Sequence, residues 1–185
     1  DLAFDAQPLR PYNVVPDALL LGFKSVRITL VPRDTGVVLL MEPPLGDMRV
    51  ANRIRVTNGD CGEWKDGLIA EQVEHDGRYE LVLSGDYPVA CGEQIWPLGV
   101  LSHRDFVGAV FRDLWRELGG SFSGEVRDGV APLDAAPIAA IESPPLIDLI
   151  RDINKFSNNV MARTLFLALA SERPATTTGA ADAVR

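Results

Sequence analysis

The chain changes its hydrophobic period near residue 100, and that switch decides most of what it can fold into. Before it, apolar residues alternate. Val26, Ile28 and Leu30 interleave with Arg27, Thr29 and Val31. The turn-forming stretch Pro32 to Gly36 comes next, then the apolar run Val37 to Met41, and together these spell a hairpin. A second hairpin is centred on Asp76-Gly77, residue types that accept the positive dihedrals of a two-residue turn, between Glu71 to Glu74 and Tyr79 to Leu83. Asn52 to Thr57 supplies another candidate strand. A small antiparallel β module over roughly residues 23 to 85 is therefore expected.

From Ser102 onward the period is helical. Ser102 followed three residues later by Asp105 resembles a capping box. Val107, Val110, Phe111, Leu114, Trp115 and Leu118 form a stripe, and Gly119-Gly120 supply the stop. After the turn-rich piece Ser121 to Pro132, Ser143 ahead of Pro144-Pro145 predicts a capped helix over Leu146 to Ile153. A third helix is predicted to open at Ser157, with Val160, Met161, Leu165 and Leu169 on one face and Arg163 turned away.

Charge narrows the partners. Acidic residues outnumber basic ones by 26 to 18, a formal charge of −8. That balance repels phosphate backbones and anionic lipid surfaces, so nucleic acid is not an expected partner. No apolar run approaches the roughly eighteen residues of a membrane-spanning helix. The opening DLAFDAQPLRPYNV lacks the basic and apolar regions of a signal peptide, and the closing ATTTGAADAVR reads as the entry to another helix. The chain thus reads as a piece of a longer protein.

Cys61 and Cys91 are too far apart in sequence for a zinc knuckle, and no histidine pair stands at ligand spacing. Two readings remain for them. One is a disulfide, which would persist in an oxidising compartment; the other is a pair of unconnected buried thiols.

The stretch Lys155-Phe156-Ser157-Asn158-Asn159-Val160-Met161-Ala162-Arg163 carries the chemistry. On local grounds Ser157 is a helix N-cap and Asn159 a solvated first-turn residue. A hydroxyl and a carboxamide at a helix amino terminus also sit where a carbonyl or carboxylate oxygen is stabilised. The run DLIRDINKFSNNVMARTLFLAL resembles the second motif of the penicillin-binding D-alanyl-D-alanine carboxypeptidase/endopeptidase family of the DacB type. In that motif class an S-x-N element works beside S-x-x-K and K-T-G. RPYNVVPDALLLGFKSVRITLVP, SGDYPVACGEQIWPL, FRDLWRELGGSFSGEVRDG and SPPLIDLIRDINKFSNN agree in order, so the resemblance runs through nearly the whole chain.

The resemblance implies a serine enzyme that attacks the D-Ala-D-Ala peptide bond of peptidoglycan stem peptides, passes through an acyl-enzyme and binds β-lactams. It implies a periplasmic location, which favours the Cys61–Cys91 bridge, and no cofactor. Ser157 matches the residue that helps pass a proton to the leaving amine, and Asn159 the one that holds the substrate's amide carbonyl. Asn158 falls at the variable middle position, and Lys155 is given no role. The departures are as informative. No serine of this chain has a lysine three places on, and Lys24, Lys65 and Lys155 are followed by Ser25, Asp66 and Phe156, so K-T-G is missing as well. The isolated chain is therefore expected to be inactive.

The implied architecture is α+β: a small antiparallel β module at 23–85, nested in an α/β inserted domain made of 1–22 and 86–132. Helices of a penicillin-binding transpeptidase-like domain follow at 133–185. Alone, that helical end is expected to expose Leu146, Ile150, Val160 and Leu165 and to pair with another copy. Other readings are weaker. A non-catalytic cell-wall or partner-binding module would use Trp64, Tyr79 and Tyr87, residues whose usual fate is core packing. A catalytic triad would have only His75 and His103 to draw on, and G-x-S-x-G does not occur. Asp60, Glu63, Asp66 and Glu71 lack the spacing of a calcium loop, and Arg49, Arg53 and Arg55 read as a salt-bridged strand face.

Overall fold

The computed structural model describes residues 7–46, 48–130, 132, 134–172 and 174–185. Residues 1–6, 47, 131, 133 and 173, which fall within the expected domain segments, lie outside the described residues. Among the described residues, six strands form two three-stranded sheets. The first hairpin is present, with β1 (Ser25–Arg33) and β2 (Gly36–Glu42) antiparallel, and β6 (Gln94–Gly99) lies antiparallel on the other side of β1. Ile28 thus stands between Met41 and Trp96. Val26, Ile28 and Leu30 are fully buried, as their alternation predicts.

The second sheet has the order β3 (Arg49–Thr57), β5 (Arg78–Pro88), β4 (Leu68–His75). The Asp76-Gly77 turn joins β4 to β5, both residues holding positive φ, 51° and 71°. Here the sheet departs from an all-antiparallel pattern, because β3 runs parallel to β5, in register from Arg49 opposite Glu80 to Thr57 opposite Pro88. The chain between Thr57 and Leu68 crosses β5 at one end of the sheet, β4 carries it back, and the Asp76-Gly77 turn then sends β5 in the direction of β3. Arg55 pairs with Asp86 at 2.8 Å across this junction, so the expected salt-bridged face holds for one arginine of the stripe, whereas Arg49 and Arg53 make no ion pair among the described residues.

Helix α1 (His103–Glu117) begins where expected: Ser102 Oγ accepts from the Asp105 amide at 3.1 Å and donates to Asp105 Oδ2 at 2.6 Å. Its end is a Schellman motif, with Gly120 N–H donating to Trp115 O and Gly119 N–H to Arg116 O. The expected stripe is only partly correct. Phe106, Ala109 and Val110 are buried, whereas Phe111, Leu114, Trp115 and Leu118 are exposed, Leu118 by 82%. The carboxyl half of α1 lies clear of the core, and there Phe111 stacks on Trp115 and meets Phe122 edge-on. One hydrophobic cluster joins β1, β3, β5, β6 and the first turns of α1 through Ile28, Ile54, Leu83, Trp96 and Phe106.

Helices α2 (Leu146–Phe156), α3 (Asn159–Ala168) and α4 (Thr177–Ala183) follow an irregular stretch. Ser143 does not cap α2. Pro145 occupies that position in an extended conformation, and its carbonyl takes the Asp148 and Leu149 amides, so the serine stands too early to reach them. Thr176 caps α4 through Gly179 N–H at 3.0 Å, in the segment expected to enter a helix. Leu146 is exposed and Ile150 and Leu165 half-buried, but Val160, expected to be exposed, is buried; α3 packs on the Pro11–Asn13 turn and on α4. No helix among the described residues is long and apolar enough to cross a membrane.

Candidate functional site

The Ser157-Asn158-Asn159 stretch is a tight corner between α2 and α3. Ser157 ends α2 in the left-handed conformation, φ 50° and ψ 45°, and its amide and that of Asn158 both reach Ile153 O. Asn158 then turns extended and caps α3, its Oδ1 accepting from Met161 N–H at 3.0 Å. The expected N-cap role of Ser157 is therefore a correction: the cap is Asn158, because Ser157 is needed to stop the preceding helix. Relief from capping leaves the Ser157 hydroxyl and the Asn159 carboxamide exposed, with no hydrogen bond among the described residues. A non-glycine residue in the left-handed region costs about 1–2 kcal/mol, and such strain concentrates at functional sites.

Ser157 and Asn159 line one cavity of about 680 Å³. Its opposite side is built from parts remote in sequence. Arg10, Pro11 and Tyr12 come from the turn before β1, which is tied down by Asn13 Nδ2 donating to Gln7 O at 2.9 Å and by Gly99 N–H donating to Leu9 O at 2.7 Å. A Cβ added at residue 99 would meet Val14 Cγ2 at 2.9 Å, so the buried Val14 side chain would have to shift. Phe23 reaches the cavity from a kink in which Gly22, Phe23 and Lys24 all hold φ near 50°. Lys24 anchors the kink by donating from Nζ to Leu101 O at 2.5 Å, and burial holds its amine below the ordinary value of 10.5.

Lys65 and Trp96 complete the wall. Cys61 and Cys91 are joined by a disulfide, the first of the two readings of those residues. It closes the loop that carries Trp64 and Lys65 onto the segment entering β6. Trp64 lies edge-on to Tyr87 at 5.9 Å, and the buried Tyr87 donates its hydroxyl to Gly92 O at 2.9 Å. Trp64 and Tyr87 thus pack inward, and Tyr79 is half-buried with its hydroxyl on Asp105 Oδ2 at 3.2 Å. Neither His75 nor His103 lines the cavity.

Sequence reasoning identified Ser157 and Asn159 but not Arg10, Tyr12, Phe23, Lys65 or Trp96 as their neighbours. Four of these fall in stretches quoted for the family resemblance, Arg10, Tyr12 and Phe23 in RPYNVVPDALLLGFKSVRITLVP and Trp96 in SGDYPVACGEQIWPL, yet nothing in hydrophobic period or spacing brings them to one place.

The sequence matches the D-Ala-D-Ala carboxypeptidase 3 (S13) family from residue 7 to residue 185. No curated protein matches it. Among solved structures it is similar to penicillin binding protein 4 (dacB) from Haemophilus influenzae, with a TM-score of 0.69 and 22% identity over 95% of this chain and 39% of that one. The same protein complexed with a novel beta-lactam gives a TM-score of 0.62 and 22% identity over 88% of this chain and 38% of that one. The chain therefore spans about two-fifths of the length of these structures, and at such identity the likeness is one of fold. The family match takes in both sheets, α1 and the corner that carries Ser157 and Asn159, and on that extent the chain belongs to the D-Ala-D-Ala carboxypeptidase 3 (S13) family.

Proposed function

We propose that this chain contributes the substrate-holding side of a serine D-Ala-D-Ala carboxypeptidase/endopeptidase cleft acting on peptidoglycan stem peptides in the periplasm. The observation that carries this is the corner: the Ser157 hydroxyl and Asn159 carboxamide, free of partners among the described residues, face one cavity. In this reading Asn159 donates from its amide nitrogen to the carbonyl oxygen of the substrate, fixing the scissile bond in register. Ser157 relays a proton toward the departing amine. The attacking serine and its lysine are not among these residues, since S-x-x-K and K-T-G are absent from the sequence. The 185 residues alone then neither hydrolyse the peptide nor form a covalent β-lactam adduct. The division into 1–22 with 86–132, 23–85 and 133–185 belongs to the same proposal, as does self-association through the helical end, where of the four apolar residues expected at its surface Leu146 is exposed and Ile150 and Leu165 half-buried.

Amide-resolved NMR titration with a D-Ala-D-Ala-terminated peptide tests the reading. Shifts are expected at Ser157 and Asn159 and are expected to weaken in Asn159→Ala. A peptide that perturbs neither residue would overturn it. A fluorescent-penicillin band for the chain would overturn the expected inactivity, and elution independent of loading on size exclusion would exclude self-association.

A further inference from the structure

The cavity that holds Ser157 and Asn159 is charged with one sign only. In a chain of formal charge −8, the charged side chains among the described residues lining it are Arg10 and Lys65, and no carboxylate lines it. Each is half-buried and fixed by a neutral neighbour. Arg10 Nε donates to Gln7 Oε1 at 2.5 Å, which leaves the terminal guanidinium nitrogens without a partner among the described residues. Lys65 Nζ lies 5.2 Å from the centre of the Trp64 ring, in a loop pinned by the disulfide. Arg10, Lys65 and Trp96 also line an adjoining cavity of about 340 Å³ that contains Asp66, so the two cations stand where the spaces meet. The surrounding wall is aromatic, from Tyr12, Phe23, Trp96 and Phe156. Two unneutralised cations in a partly desolvated wall attract a carboxylate more strongly than they would in open water, and a guanidinium can take it through two parallel hydrogen bonds.

We propose that Arg10 and Lys65 form a carboxylate-reading subsite that selects acidic peptides for this cavity. The inference rests on the reading that Ser157 and Asn159 hold a peptide there. The carboxylate is either the peptide's own C-terminus or a side chain, and both present the same chemistry to the subsite.

The test titrates the chain, by amide-resolved NMR, with four D-Ala-D-Ala-terminated peptides: C-terminal acid or amide, each with a side-chain glutamate or glutamine. For the unaltered chain, removal of the recognised carboxylate is expected to weaken binding roughly three- to tenfold, less at high salt. Which of the two removals does so identifies the source. In Arg10→Gln and Lys65→Gln that difference is expected to shrink below about twofold, while Asn159→Ala weakens all four peptides alike. Equal binding of the four peptides to the unaltered chain, with Asn159→Ala still weakening them, overturns the subsite and leaves the reading of the corner standing. Binding of none of the four overturns both.

Discussion

Trp64 meets Trp96 edge-on, their ring centroids 6.4 Å apart and their planes at 88°. Trp64 belongs to the loop closed by Cys61–Cys91, and Trp96 to the strand that pairs with β1. Through this contact the disulfide loop and the first sheet become one wall of the cavity.

Opening the bridge is expected to cost stability chiefly by freeing the unfolded chain. For a loop of 30-residue separation the loss is about 3–4 kcal/mol in a chain-entropy estimate. Urea denaturation with and without reductant, and of the Cys61→Ser/Cys91→Ser double variant, measures it. Unchanged midpoints would show that the aromatic contacts alone hold the loop.

Gly85 stands in β5 with φ 114°, and a Cβ at this position would be driven into the Gly67 carbonyl oxygen. Gly85→Ala therefore combines a disfavoured dihedral with a backbone collision and is expected to lose about 3 kcal/mol or more. The midpoint of urea denaturation reads this directly.

At the corner, strain and capping separate cleanly. Ser157→Gly keeps the left-handed turn without its steric penalty and is expected to stabilise the fold by about 1 kcal/mol while weakening peptide binding. Asn158→Ala removes the acceptor of Met161 N–H and is expected to destabilise by about 1 kcal/mol. A paired comparison of thermal midpoints and peptide titrations checks both signs.

Asp105 gives the fold an acid limit. Burial pushes its carboxyl up, but hydrogen bonds from Ser102, Arg104 and Tyr79, together with the Arg104 charge, outweigh that and hold it below the ordinary 3.8. The unfolded chain then binds the proton more readily, so this contribution is complete above the unfolded value and is lost as pH falls from 3.8 through the folded one. Asp105→Asn is expected to cost about 1 kcal/mol at neutral pH and progressively less in acid. Urea midpoints across that range test it; a difference that grows in acid would reverse the assignment.

Much of the fold was legible because alternation and cap chemistry are local. Val26, Ile28 and Leu30 announced a buried strand face, Asp76-Gly77 a turn, and Ser102 a helix start. Partners were not legible: alternation places Asn52 to Thr57 in a strand but says nothing of the parallel partner β5 provides. The outward half of α1 misled for a related reason. Its stripe continues past the point where the core stops, and Phe111, Trp115 and Phe122 cover one another instead. At the corner two good cap residues stand side by side, and tertiary demand on Ser157 gave the role to Asn158. Arg10 and Lys65 were invisible because each is unremarkable in its own neighbourhood.

The Asn158 cap reverses the ordinary weighting of a three-letter signature. In S-x-N the outer letters are the ones a chemist reads, yet here the silent middle letter holds the bend on which both depend. Replacements there should be confined to Asp, Ser and Thr, short side chains that can still accept from an amide three residues on. Adding a residue would swing the asparagine about 100° around its helix, so the spelling of the signature is as much a tolerance on an angle as a list of reactive groups.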